Sequence, residues 1–600
     1  MSATTGFLTD SKGPNGLEPR HFPQDDSASH TGAVTAVSIS PSSALHASAH
    51  YDPSVSFEEY LYYAQITRAE EAEENVRHRA LRGPTTLKSI IKDRFSKGHH
   101  VTAATAIVGE KTDSTNIVTG VTEAEWKQAS RAVRTAGWGG VFYLIVTDIL
   151  GPFSTPWSFA QMGYGPGVAL FTVFGVMAYY SGYTLYLAFL DLDSDRYPLR
   201  SYGDFFYRLF GPLPRRLVDS ALGIQMMLLV STLILSNGQA ISQISQGQNG
   251  GTGLCFAACL IIFMAAGFIL GQIRTLQRFG WIANLAVWIN LLIIFICMGV
   301  AANSPPNFKA AMASFSFEPG PIKVYAGTPR AGMATGGSGF IGSLNGLNQA
   351  VYSYGGAMIF THLLAEMRHP MDFWKALLIA EIFIYVVYMF FGIFVYSYQG
   401  QFTFNPVMQG LSPYGWQTAC NIMNLFTGLI AAALYGNIGL KVLYVDVLQE
   451  VCGLPPLTVQ KGKLLWLVLV PIYWAVAFVV AAAIPQFSFI SGLIGALFIL
   501  SFTYTLPAII ALGYGLHKDA MVHAEERFDP ATRTYDYVDR GFKRWARAYG
   551  RRQLYYTCNV VYLLGAMVTT GLGVYSSVEG LIAAFSGKSA STSFGCGSPV

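Results

Sequence analysis

"TDILGPFSTPWSF" (147–159) lies inside a long apolar run, yet it holds an aspartate, a glycine and two prolines. A proline inside a helix removes an amide donor and clashes with the preceding turn. Glycine relaxes the dihedral restriction beside it. In hydrocarbon there is no water to satisfy the freed backbone, so irregular chain at that depth persists only where protein or a lined cavity receives it. The stretch therefore predicts a membrane helix split into two halves joined near 151–156, with Asp148 just before the break.

The rest of the chain supports a membrane setting. Of 600 residues, 52% are hydrophobic and 12% charged, against about a quarter charged in a soluble chain. The formal net charge of +4 is small for this length, and nothing in it points to nucleic acid. The seven cysteines form no CxxC pair or Cys/His cluster, so neither a zinc site nor a disulfide framework is expected. The first residues lack an apolar core, and no signal peptide is expected.

Residues 1–128 form a polar segment, expected to be a cytoplasmic tail that is disordered over its first fifty residues or so. Two helical patches follow inside it, at 56–83 and 85–98, either solvated or docked on the membrane domain or on anionic lipid. A transporter-like membrane domain is expected over 129–585, with a short extracellular tail at 586–600. A spanning helix needs about 20 apolar residues. Eleven candidates meet that need: 138–162, 166–190, 216–242, 253–271, 280–302, 340–365, 373–399, 416–443, 464–485, 488–515 and 554–585. Lys and Arg concentrate in alternate links, at 127–134, 196–216, 274–278, 368–375, 461–463 and 516–553, whereas 244–252, 400–415 and 486–487 have none. The positive-inside rule then puts the N-terminus in the cytoplasm and the C-terminus outside.

The sixth candidate repeats the irregularity of the first. "YSYGG" (352–356) puts a glycine pair in mid-helix, between aromatic residues. Helices one and six hold matching positions if 138–302 and 340–515 are two five-helix repeats, with 554–585 as an extra helix. Five is odd, so the second repeat would enter from the opposite side. Interrupted helices in matching positions of two inverted halves point to a transporter binding site. The fold class expected is thus an all-α membrane protein of about eleven transmembrane helices.

Several stretches resemble the amino acid/auxin permease family: "DILGPFSTPWSFAQMGYGPG" (148–167), "SYGDFFYRLFG" (201–211), "SYGGAMIFTHLLAEMRHP" (353–370) and "LYGNIGLKVLY" (434–444). The resemblance covers roughly 130–585. It implies a LeuT-like 5+5 inverted repeat plus one extra helix, and amino acid uptake coupled to an ion, usually H+ in fungal members, with Na+ as the alternative. It also favours the plasma membrane over the vacuole. Pro152, directly after Gly151, departs from the family's more usual first-helix text.

An amino acid offers a carboxylate and an ammonium. Half-helix N-termini present amides to the first, and half-helix C-termini present carbonyls to the second. Gly151, Pro152, Phe153, Ser154 and Thr155 on the first break, and Tyr352, Ser353, Tyr354, Gly355 and Gly356 on the second, are the candidate substrate ligands. No formal charge lies in that set, which favours a neutral amino acid. Asp148, Glu381 and Thr427 are candidates for ion coupling, because a carboxylate at membrane depth is costly and by default functional. A purely structural carboxylate, capping neighbouring helices, is the competing reading for Asp148 and Glu381. No metal or cofactor is expected, nor catalysis. "GSGFIG" (337–342) follows no strand, and "AAFSGKS" (583–589) lacks the first glycine of a phosphate loop. The expectation is a secondary active symporter. A nutrient receptor signalling through its long tail is the alternative, and an ion channel is a weaker one without a filter motif.

Overall fold

A computed structural model of the chain describes residues 51–82, 134, 136–248, 251, 253–273, 277–315, 317–330, 339–455, 457, 459–484, 486–521, 526, 528–586 and 593–597. The tail residues before 51 and the basic patch at 85–98 lie outside the described residues.

The protein is an all-α membrane protein. Eight helices among the described residues are long and apolar enough to cross a bilayer. Two further predicted spans are the interrupted ones: Trp138–Ile149 with Thr155–Met162, and Gly339–Ser353 with Ala357–Glu366. A shorter apolar helix, Phe256–Leu270, occupies the fourth predicted position. Helix Phe373–Gln399 packs against both halves of the first interrupted helix. Helix Pro212–Gln246 packs against Tyr414–Val442 and opens with Pro212 and Pro214, tolerated in a first turn whose amides have no helical partner anyway. The only strands among the described residues are a short antiparallel pair, Phe528–Asp529 with Thr534–Tyr535.

The patch predicted at 56–83 is a helix, Phe57–Arg82, and it is docked rather than solvated. Tyr60, Leu61 and Ala64 are buried, and Phe57 stacks on His517 with ring centroids 4.9 Å apart. Charge anchors it as well. Arg68 reaches Asp193 at 2.6 Å and Glu71 at 2.8 Å. Arg134, at the approach to the first interrupted helix, reaches the same Asp193 at 2.9 Å and Glu71 at 3.2 Å. Glu58 and Glu59 accept from Arg544 (3.0 Å) and Arg533 (3.2 Å) of the link before the last helix. Thus the docked helix bridges three Lys/Arg-rich segments far apart in sequence. Nearby, Ser201 and Asp204 form a capping box that starts Tyr202–Phe210.

One expectation is corrected. The sequence offered no disulfide framework, yet Cys255 and Cys596 are bonded across 341 residues. No spacing rule could pair them, because the tail that carries Cys596 is brought over by tertiary packing. The Phe256 amide donates to the Cys596 carbonyl (3.1 Å), and the Phe594 amide to Ala482 (3.0 Å).

Asp193 is fully buried and faces two guanidiniums. Removing one partner of a buried pair costs about 3–5 kcal/mol. Because Arg68 would remain, Arg134→Ala is expected at the low end, about 3 kcal/mol, read as a fall in the thermal midpoint of the purified protein. Burial, against the pull of Arg68 and Arg134, pushes the Glu71 carboxyl up from 4.5 to about 7. A carboxyl raised on folding contributes stability that is fully present below its unfolded value and is lost as pH rises through its folded one. The midpoint is expected to fall between pH 4.5 and 7, and Glu71→Gln to flatten that dependence in the same melts.

Candidate functional site

The first half-helix ends at Leu150, whose amide still reaches the Val146 carbonyl at 2.9 Å. Gly151 then leaves helical dihedrals (φ −145°, ψ 68°), Pro152–Ser154 make one tight turn, and Thr155–Met162 resumes the helix. In the second interrupted helix the Tyr354 and Gly355 amides close back on Val351 (3.3 Å) and Tyr352 (3.2 Å). Gly356 (φ −156°, ψ −11°) begins the next half. By helix geometry the first amides of Ala357–Glu366 have no partner within their own helix.

The two breaks meet. A Cβ on Gly356 would lie 2.5 Å from Cγ1 of Ile149 and 3.2 Å from Oδ2 of Asp148. A Cβ on Gly355 would lie 2.4 Å from Cγ2 of Ile499. Gly356 is therefore what lets the second break approach the first, and Gly355 what lets it approach Ile499.

Beside this contact is a cavity of about 190 Å³. Of the predicted substrate ligands, Gly151, Phe153, Tyr352, Ser353 and Gly355 line it, and so do the predicted coupling residues Asp148 and Thr427. Pro152, Ser154, Thr155, Tyr354, Gly356 and Glu381 are not among its lining. Pro152, Ser154 and Thr155 are buried in the turn and the next half-helix. Tyr354 is buried with its ring against Phe171 and Tyr388. Glu381 is buried in Phe373–Gln399, and neither of its carboxylate oxygens has a hydrogen-bond partner among the described residues.

Helices distant in sequence complete the wall. Tyr435 of Tyr414–Val442 donates to Oδ1 of Asp148 at 3.0 Å, while Oδ2 is buried without a hydrogen-bond partner among the described residues. Asn290 of Gln277–Asn303 also lines the cavity, with an Oδ1 that lacks a partner. Leu229, Leu233, Met358 and Ile499 supply apolar surface. The chamber thus combines apolar walls, acceptor oxygens at Asp148 and Asn290, and unwound main chain.

Sequence reasoning did not single out Asn290, Tyr435 or Tyr388. Asn290 is a polar interruption in an apolar run, and Tyr435 lies in the quoted "LYGNIGLKVLY", but neither position shows which way it faces. The buried Tyr388 hydroxyl lies within reach of three break groups. Two are carbonyls, of Ile149 and of Ser353 (2.8 Å), and the third is the Gly151 amide, which donates to it at 3.3 Å. Three further polar residues of Tyr414–Val442, among them Asn424 of the cavity lining, tie helices together. Asn421 donates to Gln243 (3.0 Å), Asn424 to Asn237 (3.3 Å) and Asn437 to the Ile273 carbonyl (2.6 Å).

Comparison with known proteins agrees with this architecture. A protein named "Transmembrane transporter" from Fusarium pseudograminearum is 23% identical over 380 residues, 63% of this chain and 75% of its own. Another of that name, from Gibberella moniliformis, is 25% identical over 336 residues, 55% of this chain and 66% of its own. An "N amino acid transport system protein" from Neurospora crassa is 23% identical over 399 residues, 65% and 78% respectively. The model of the family described as "Transmembrane amino acid transporter protein" matches residues 134–518, more than half of the chain and including both breaks and every residue lining the cavity. The chain belongs to that family of transmembrane amino acid transporters.

Proposed function

We propose that this protein is a secondary active transporter that carries a neutral amino acid together with a proton. The observation that carries the reading is the chamber between the two breaks, with the unpartnered Oδ2 of Asp148 on its wall. The substrate ammonium meets Asp148 and Asn290, both of which offer acceptor oxygens. Its carboxylate meets the start of Ala357–Glu366, where the helix dipole favours negative charge. Its side chain meets Leu229, Leu233, Met358 and Ile499. Among the described residues, no basic side chain lines the chamber to recognise an acidic substrate. Asp148 takes up and releases the coupling proton, since a carboxylate in such surroundings is costly in its charged form. Thr427 contributes a hydroxyl to the same wall, and Glu381, outside it, is a second proton carrier.

Helices one to five and six to ten form a LeuT-like inverted pair, and the interrupted helices rock as a bundle against the rest. The protein sits in the plasma membrane with its N-terminus in the cytoplasm. The Cys255–Cys596 bond supports the orientation, because disulfides persist on the oxidising side of a membrane.

Uptake of a radiolabelled neutral amino acid panel into vesicles is expected to rise when the outside is made acidic, and to be indifferent to replacing Na+ by choline. Asp148→Asn is expected to lower gradient-driven uptake about tenfold or more while the protein still reaches the membrane. Uptake by Asp148→Asn at wild-type rate across the pH range would defeat the proton role. Gly356→Ala forces Ile149 or Asp148 to shift. It is expected to cut uptake about tenfold or more, because small displacements of positioning groups have effects of that size.

A further inference from the structure

Two main-chain carbonyls from two unwound helices converge on one side chain, Tyr388, which does not line the cavity. Its hydroxyl has a single proton and two lone pairs. It accepts from the Gly151 amide and donates to the carbonyl of Ile149, before the first break, or of Ser353, before the second. One proton serves two acceptors, so the bond is shared between the breaks.

This sharing has a consequence for the chamber. Ile149, Gly151 and Ser353 all line it. The groups that Tyr388 engages on its own side fix how the same peptides present their remaining atoms to the chamber. Tyr388 is itself rigid. It is fully buried, on a helix that packs against both halves of the first interrupted helix, and its ring meets Tyr354 (5.4 Å) and Phe171 (6.4 Å) edge-on. Replacing the hydroxyl by hydrogen leaves the ring packing alone and removes the one donor the two carbonyls share.

We propose that Tyr388 is a positioning residue, whose hydroxyl ties the two breaks together from behind and thereby sets the geometry in which substrate is bound. The proposal rests on the transport reading above. Breaking the tie costs binding precision more than the rate of the rocking motion, so the effect falls on KM.

The test compares Tyr388→Phe with Tyr385→Phe. Tyr385 lies on the same helix, but its hydroxyl meets Thr172 at 2.9 Å, not a break. Uptake of a neutral amino acid that the wild type carries is measured in vesicles of matched protein content. Tyr388→Phe is expected to raise KM about tenfold, with Vmax within about twofold. Tyr385→Phe is expected to leave KM within about twofold of wild type. Tyr388→Gln, which restores a donor on a shorter reach, is expected to fall between wild type and Tyr388→Phe. An unchanged KM in Tyr388→Phe overturns the proposal, and so does an equal rise in both tyrosine variants, which would mark general packing of the helix. Failure of both Tyr388 variants to yield folded protein overturns it too, assigning the hydroxyl to assembly. Absence of uptake by the wild type speaks instead against the transport reading.

Discussion

Every peptide released from a helix at bilayer depth needs a partner, since an unsatisfied amide or carbonyl there costs several kcal/mol. Two releases occur in this protein, at 150–154 and 354–356, and much of the interior is arranged around them. Each break is satisfied partly by its own turn, as at Leu150 and Gly355, and partly by the other elements. Gly356 permits the approach of one break to the other, and Tyr388 of helix Phe373–Gln399 bonds to both. The side-chain oxygens of Asp148 and Asn290 that have no hydrogen-bond partner among the described residues lie on the chamber wall.

The opposite kind of economy operates on the Lys/Arg-rich face. There the polar groups are side chains, and they are satisfied by ion pairs, some reaching from the docked N-terminal helix to Asp193, Arg533 and Arg544 and others formed within 204–219 and 526–547. Arg134 belongs to this network and also precedes the first interrupted helix by only a few residues. Just after it, Ala136 pairs with Met367 at the exit of the second interrupted helix. The ends of both broken helices are therefore held at the same place by charge and by backbone.

Much of this was legible in the sequence, because glycine and proline act locally. Gly151, Pro152 and the Gly355–Gly356 pair announce their breaks wherever they occur. Asp148 stood out for the same reason, as a charge in an apolar run. The lining from other helices was not legible. Asn290 and Tyr435 acquire meaning only from which way their helices turn, and Tyr388 is one of 33 tyrosines in the chain until its neighbours are known. Helical spacing marked 56–83 as a helix, but whether Glu58 and Glu59 met water or arginines depended on residues 486 and 474 positions away. The Cys255–Cys596 pairing was beyond any local rule for the same reason of distance.

That bond also divides the chain topologically. Residues 255–596 form a closed covalent ring, and the described residues before Cys255 lie outside it, on an open arm. The second break lies on the ring, with helix Phe373–Gln399 and the helices that carry Asn290, Thr427 and Tyr435. The first break, with Asp148, lies on the arm. A single cut between two spanning helices of the ring would leave its pieces joined under oxidising conditions, whereas a cut between Asp148 and Cys255 would sever the covalent link to the segment that carries Asp148. The chamber is thus a seam between an open arm and a loop, joined covalently only where the chain enters Cys255.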